Sequence, residues 1–361
     1  MGLLDSLKAS CTKMAKSAVE DAMKGDANSG GSGTRAPEDA AAYAEKVADT
    51  IQADVRMFSG CMDSQTSADV QDVSKFGLPN ADGAGGACTN AMLLTLADST
   101  EDTWLSLLKG MQATLKTKKF SQVPQLSTSR QIDVNDIFSL KNTSGEGTSK
   151  SLLIGINYTG QQGQLAGCHN DVEMMKEYIT THGFRTEGPT CKILMDDEMH
   201  GDPTHDGIIS GMRWLVADAA AGDSLFMHYS GHGGSVKDTS GDEADNMDET
   251  MVPVDYQQSG QITDDVILKE LVMTLPEGVT LTVVMDCCHS GSILDLPYTI
   301  KADQGTIEAV EAGEQSSLIS ENPGFDFAKM VAICKELFAI YQGNKEMGIA
   351  EIGEIAQLVL S

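Results

Sequence analysis

The chain has 361 residues, with 25 Lys plus Arg against 53 Asp plus Glu and a formal net charge of -28 at pH 7. This balance argues against nucleic acid or an anionic membrane as a main partner and favours basic substrates and metal cations. The length allows a sizeable core, either in one large domain with additions or in two modules, and with no run of about 18 apolar residues, stable membrane insertion through a helix is not expected.

The N-terminal "MGLLDS" fits a myristoylation pattern at Gly2, with Cys11 near enough for a second acyl chain. The plainer reading, the first turn of an amphipathic helix, is preferred because the pattern is short. Residues 1–37 end in "GDANSGGSGTRAP", a flexible Gly/Ser-rich linker. A helical pattern begins at Glu38 and opens a part that runs to residue 140. The small, polar "KNTSGEGTSK" (141–150) then marks a module boundary.

Beyond it the pattern is regular over 151–300. "SLLIGIN" reads as a strand, "CHNDVEMMKEYITTHGF" as a helix, "CKILM" as a strand and "HDGIISGMRWLVADAA" as a helix, before "DSLFMHYSGHGG" and "VTLTVVMDCCHSGS". Such alternation predicts βαβ units and a mostly parallel α/β sheet with helices on both faces. Residues 301–361, with the apolar-rich "FAKMVAICKELFAIY", read as a C-terminal helical extension. Eight cysteines (Cys11, Cys61, Cys88, Cys168, Cys191, Cys287, Cys288 and Cys334) follow no repeating spacing, and no signal-peptide core is visible. Reduced thiols and a cytoplasmic setting are therefore expected.

Two buried strands end in polar tips, "SGHGG" and "DCCHSGS", at the carboxyl ends where open α/β sheets bind ligands. A thiol and an imidazole at neighbouring tips make a nucleophile and base. Strand alternation groups Ser230 with His232, and Asp286 with Cys288, so Cys288 rather than Cys287 is the candidate nucleophile. Contiguous Cys287, Cys288 and His289 do not suit zinc, whose ligands are spaced. A phosphatase loop lacks its arginine, since Ile293 and Leu294 stand in its place, and "GEGTSKS" lacks the adjacent Gly-Lys of a P-loop.

Together, "HYSGHGG" and "DCCHSGS" resemble the metacaspases, cysteine peptidases of the caspase-like fold. "LAGCHNDVEMM" resembles the segment after the first strand of their large subunit, and "FSGCMDSQTSAD", "GGACTNAM" and "QVPQLSTSR" resemble their small subunit. With the small-subunit-like part (38–140) before the large-subunit-like part (151–300), the arrangement resembles the type III group. The resemblance implies Cys288 as nucleophile, His232 as general base, and the N–H groups of Gly233 and Cys288 as oxyanion hole. It implies a specificity pocket of Cys168, Asp171, Ser230 and Asp286, and two carboxylates there suit arginine, then lysine. It further implies Ca2+ held by Asp248, Asp264, Asp265 and Asp295; the acid-rich "KDTSGDEADNMDETMVPVD" suits a hard cation, although it lacks the glycine of an EF-hand.

The expected protein is thus a calcium-dependent cysteine endopeptidase acting on protein or peptide substrates after Arg or Lys, and a monomer whose sheet edge is covered by the extra helices. With no linker to cut between its parts, obligatory self-cleavage is not expected, although Arg35, Lys141 and Lys150 offer trimming sites. Cys287 reads as a structural filler. The rival readings are an inactive calcium-responsive interaction protein and a caspase-fold peptidase of other specificity.

Overall fold

A computed structural model describes residues 37–60, 69–70, 85–97, 102–237, 247–287, 291, 293–302, 305, 319–322, 325–327, 329–330, 332–334 and 336–337. The N-terminal part gives α1 (Pro37–Thr50), β1 (Asp54–Ser59), the short strands β2 (Asp69–Val70) and β3 (Gly85–Gly86), α2 (Ala87–Ala97), α3 (Trp104–Thr117) and β4 (Gln125–Thr128). Thr103 starts α3 with reciprocal hydrogen bonds, its hydroxyl accepting from the Ser106 N–H while its own N–H donates to Ser106 Oγ. The βα units follow as β5 (Ser149–Gly155), α4 (Cys168–Thr181), β6 (Cys191–Met195), α5 (His205–Val216) and β7 (Ser224–Ser230). Then come β8 (Gly233–Lys237), β9 (Met247–Met251), α6 (Tyr256–Ser259), β10 (Ile262–Thr263), α7 (Asp264–Ile267), β11 (Thr280–Asp286), β12 (Tyr298–Lys301) and β13 (Ser320–Glu321).

Eight of the described strands form one sheet in the order β13-β12-β4-β1-β11-β7-β5-β6. The pairings from β1 through β11, β7 and β5 to β6 are parallel, and β4, β12 and β13 add an antiparallel edge. The expected mostly parallel sheet is therefore present. It takes strands from both halves of the chain.

Alternation along the central strands builds two cores. Leu225, Met227, Tyr229, Leu281, Val283 and Met285 face one side, where α1, α5 and Phe325, Met330, Ile333 and Leu337 pack. Phe226, Val284 and Leu153 face the other, against α2, α3 and α4. Both faces being covered explains why β7 and β11 read as continuous apolar runs instead of alternating ones.

Several expectations need correction. The stretch from 301 onward is not helical throughout, because β13 continues the sheet beyond β12, and the edge beside β4 is covered by strands, not helices. Part of the acid-rich segment is a strand: Asp248 and Glu249 lie buried on β9, within a second sheet of β8, β9 and β10. Cys334 is held in a disulfide whose other half lies outside the described residues, so the thiols are not all reduced. Lys150 belongs to β5, with its ammonium donating to the Trp214 and Ala217 carbonyls, and is therefore no exposed trimming site.

One core residue carries a pH signature. His228 on β7 is fully buried with Nε2 3.1 Å from Thr89 Oγ1, and burial holds its imidazole down from 6.5 to about 3. The unfolded chain takes up a proton that the folded chain refuses, so this contribution to stability is present above pH 6.5 and is lost as the pH falls toward 3. Between pH 7 and pH 5 it removes about 2 kcal/mol. Urea unfolding at the two pH values should show a smaller acid loss for His228→Gln than for the parent protein; equal losses would mean that the imidazole is not held neutral.

Candidate active site

Parallel pairing of β7 and β11 aligns their ends, with Ser230 opposite Asp286. On the other flank of β7, Gly155 of β5 lies opposite Ser230, and α4 begins at Cys168 beyond that strand. A side chain on Gly155 would strike the backbone of Cys168, so the glycine lets α4 sit close on the sheet. This places Asp171, in the first turn of α4, against β7. The Ser230 hydroxyl donates to Asp171 Oδ2 at 2.7 Å.

The two acids also receive the start of α2. The Gly86 N–H donates to Asp171 Oδ2 at 2.7 Å, and the Thr89 N–H donates to Asp286 Oδ2 at 2.7 Å. Asn90 Nδ2 spans 3.3 Å to Asp171 Oδ1. Any Cβ on Gly86 would overlap the Asp286 carboxylate, so only glycine lets the backbone come this near. Anions are favoured at the positive end of a helix. The four expected pocket residues thus gather at one place: Cys168, Asp171, Ser230 and Asp286 are all buried. The grip by α2 was not foreseen; the paired glycines of "GGACTNAM" were its only sequence signal.

His232 follows two residues after β7. Its ring lies over Tyr158 with centroids 4.7 Å apart, and Nε2 is 2.6 Å from the Gly163 carbonyl. Two buried tyrosines fix its backbone: the His232 N–H donates to Tyr158 Oη at 3.0 Å, and Tyr229 Oη donates to the His232 carbonyl at 2.7 Å. Tyr158 Oη also donates to the Val252 carbonyl at 2.6 Å. Burial pushes both phenols well above the ordinary tyrosine range, so they remain neutral hydrogen-bonding groups. Gly163, Tyr158 and Tyr229 escaped the sequence reading because isolated glycines and tyrosines carry no spacing signal.

Gly233 opens β8, opposite Met251 of β9. Cys287 is buried in the core that also holds Tyr158 and Tyr229, as a filler would be. Cys288 and His289 lie outside the described residues. Nearby, Gln125 Nε2 of β4 donates to the Gly291 carbonyl at 2.8 Å, joining the N-terminal part to the β11 tip.

The expected calcium ligands fall in another cluster. Lys329 Nζ lies 2.8 Å from Asp295 Oδ2 and 2.9 Å from Asp265 Oδ1; the first contact is a directed hydrogen bond, while the second is a charge contact without that geometry. Asp264 is completely buried, and its Oδ2 has no hydrogen-bond partner. Burial, reinforced by Asp295, pushes the Asp264 carboxyl up to about 8. Burial disfavours the charge on Lys329, yet Asp295 and Asp264 outweigh it and hold the ammonium above the ordinary lysine range. Asp248 stands on β9, against which α7 packs. Among the described residues no three His, Cys, Asp or Glu side chains form a group poised to hold a metal ion, and no helix is long and apolar enough to cross a membrane.

Comparison with known proteins agrees with this geometry. Residues 149–297 match the model of the metacaspase peptidase C14 domain, and residues 3–134 match that of the caspase domain. A protein named "Metacaspase III c" from Phaeodactylum tricornutum is 49% identical over 298 residues, covering 80% of this chain and 85% of that protein. "Metacaspase-1B" of Neurospora crassa is 45% identical over 54% of this chain and 46% of its own length, and "Metacaspase-1" of Mycosarcoma maydis is 41% identical over 58% and 52%. The chain spans about half the length of those two fungal relatives. With a relative 49% identical over 80% of this chain and 85% of its own length, the chain belongs to the metacaspases, the caspase-like cysteine peptidases.

Proposed function

We propose that the chain is a calcium-dependent endopeptidase that cleaves after Arg, and less readily after Lys, with Cys288 as nucleophile and His232 as general base. The carrying observation is the pair of buried carboxylates, Asp171 and Asp286, flanking Ser230 at the same strand ends that lead into His232. In a chain this acidic, a pocket that ends in two carboxylates attracts a guanidinium and repels an acidic side chain. Each carboxylate retains lone pairs beyond those that accept the α2 N–H groups.

In the proposed reaction Cys288 Sγ attacks the scissile carbonyl carbon while its proton passes to His232. The Gly163 carbonyl accepts from Nε2–H, which leaves Nδ1 as the basic nitrogen of the ring. The oxyanion is held by the N–H groups of Gly233 and Cys288. Collapse of the tetrahedral intermediate expels the amine, which takes the proton from His232, and water then hydrolyses the thioester with His232 again as base.

For calcium, Asp248, Asp264, Asp265 and Asp295 are the proposed donors. Hard oxygen ligands, the orphaned Asp264 Oδ2 and a cation already seated among the acids suit a divalent ion in charge and donor type. When bound, the ion would neutralise this cluster and order the elements that carry it. A monomer acting on exposed basic segments of proteins is the proposed working form, its sheet edge occupied by β12 and β13.

Hydrolysis of a fluorogenic peptide ending in Arg should require calcium, be abolished by chelator and by Cys288→Ala, and exceed that of the Asp-ending peptide. Failure of a folded protein to cleave any of these under either condition would refute the reading. Asp286→Asn keeps the acceptor for Thr89 but loses the charge, and should lower kcat/KM for the Arg peptide by about thirtyfold or more; an unchanged preference would mean that the acid serves only the start of α2. Gly163 has φ +82° and a Cβ there would press on His232 Nε2. Gly163→Ala should therefore reduce kcat by about tenfold or more with little change in KM, and an unaltered kcat would show that the carbonyl does not position the base.

A further inference from the structure

Lys329 comes from the segment that follows the matched metacaspase domain, which ends at residue 297. Its side chain is almost fully buried, at 5% exposure, and reaches Asp295 and Asp265 at 2.8 and 2.9 Å. Inserting an isolated ammonium into the interior is costly, so its burial needs the carboxylates. The carboxylates equally need a cation: Asp264 and Asp295 are both almost fully buried, and Asp295 sits on a left-handed backbone with φ 42°. Asp264 Oδ2 has no hydrogen-bond partner.

The segment is docked on either side of this lysine. Phe325, Met330, Ile333 and Leu337 enter the core on the face that holds α5 and α7, and Glu336 pairs with Lys269, two residues beyond α7, at 2.9 Å. Seating of the lysine is thereby coupled to the packing of residues 325–337.

Resting on the calcium reading above, we infer that Lys329 is a tethered cation that occupies the carboxylate cluster and competes with calcium for it, so that metal binding and seating of residues 325–337 oppose one another. A divalent ion and an ammonium cannot share the same oxygens at bonding distance. Calcium must expel Lys329, and expulsion loosens the segment beside it. The apparent calcium affinity is then weaker than the intrinsic one by the fraction of molecules whose lysine is unseated. Among the described residues no three acids stand poised for a metal, as expected of a cluster spaced around an ammonium.

The test uses the full chain carrying Cys288→Ala, so that self-cleavage cannot intervene. Calcium is titrated calorimetrically into this protein and into the same protein with Lys329→Met or Lys329→Arg, while hydrogen exchange of residues 325–337 is followed with and without calcium. Lys329→Met should bind calcium about tenfold or more tightly than the parent, Lys329→Arg should bind like the parent or more weakly, and calcium should raise exchange across 325–337 in the parent. Binding by Lys329→Met alone would support the same conclusion. Equal affinities, or calcium binding that leaves the segment as protected as before, would overturn competition while leaving the calcium reading intact. If no form binds calcium at millimolar concentration, the calcium reading itself fails and the competition with it. Should Lys329→Met not fold, exchange in the parent still decides.

Discussion

The parallel ladder between β7 and β11 is the constraint on which the site depends. Once Leu225 to Ser230 run beside Leu281 to Asp286 in register, the chain must leave both strands at the same edge of the sheet. A slip of one residue would turn every side chain to the opposite face, sending Asp286 into the core and Cys287 out of it. The apolar alternation, Val283 and Met285 on one face against Val284 on the other, is what forbids that slip. The register that builds the core therefore also aims the chemistry.

Much of this was legible in the sequence because it is local or periodic. The run "VTLTVVMD" identifies a doubly covered strand, and its polar ending identifies a strand tip without any structure. Cys287, the first of the two adjacent cysteines, is buried in the core. What was not legible depends on contacts between distant segments. Nothing in "TGQQGQL" says that the Gly163 carbonyl reaches His232, since a backbone oxygen has no sequence signature. The grip of Gly86 and Thr89 on two acids far along the chain is hidden for the same reason. The strand β9 was obscured by its charge: a run of acids carries no strand signal, yet tertiary context buries Asp248 and Glu249.

Two acidic centres with different neighbours divide the molecule. At the strand tips, the buried Asp171 and Asp286 accept from backbone N–H groups, a hydroxyl and a side-chain amide. At α7, Asp264, Asp265 and Asp295 surround a full positive charge. The second centre has its counter-ion built into the chain.

The sheet order also bears on how the protein is made. Asp54 of β1 lies opposite Thr280 of β11, more than 200 positions later in the chain. During synthesis the first strand must wait for nearly the whole polypeptide before it meets its partner, and contacts this remote form late. Asp286, which ends β11, meets Ser230 and the start of α2 only after that late pairing has formed. Placing the small-subunit-like strands first thus ties the birth of a peptide-cutting site to completion of the fold.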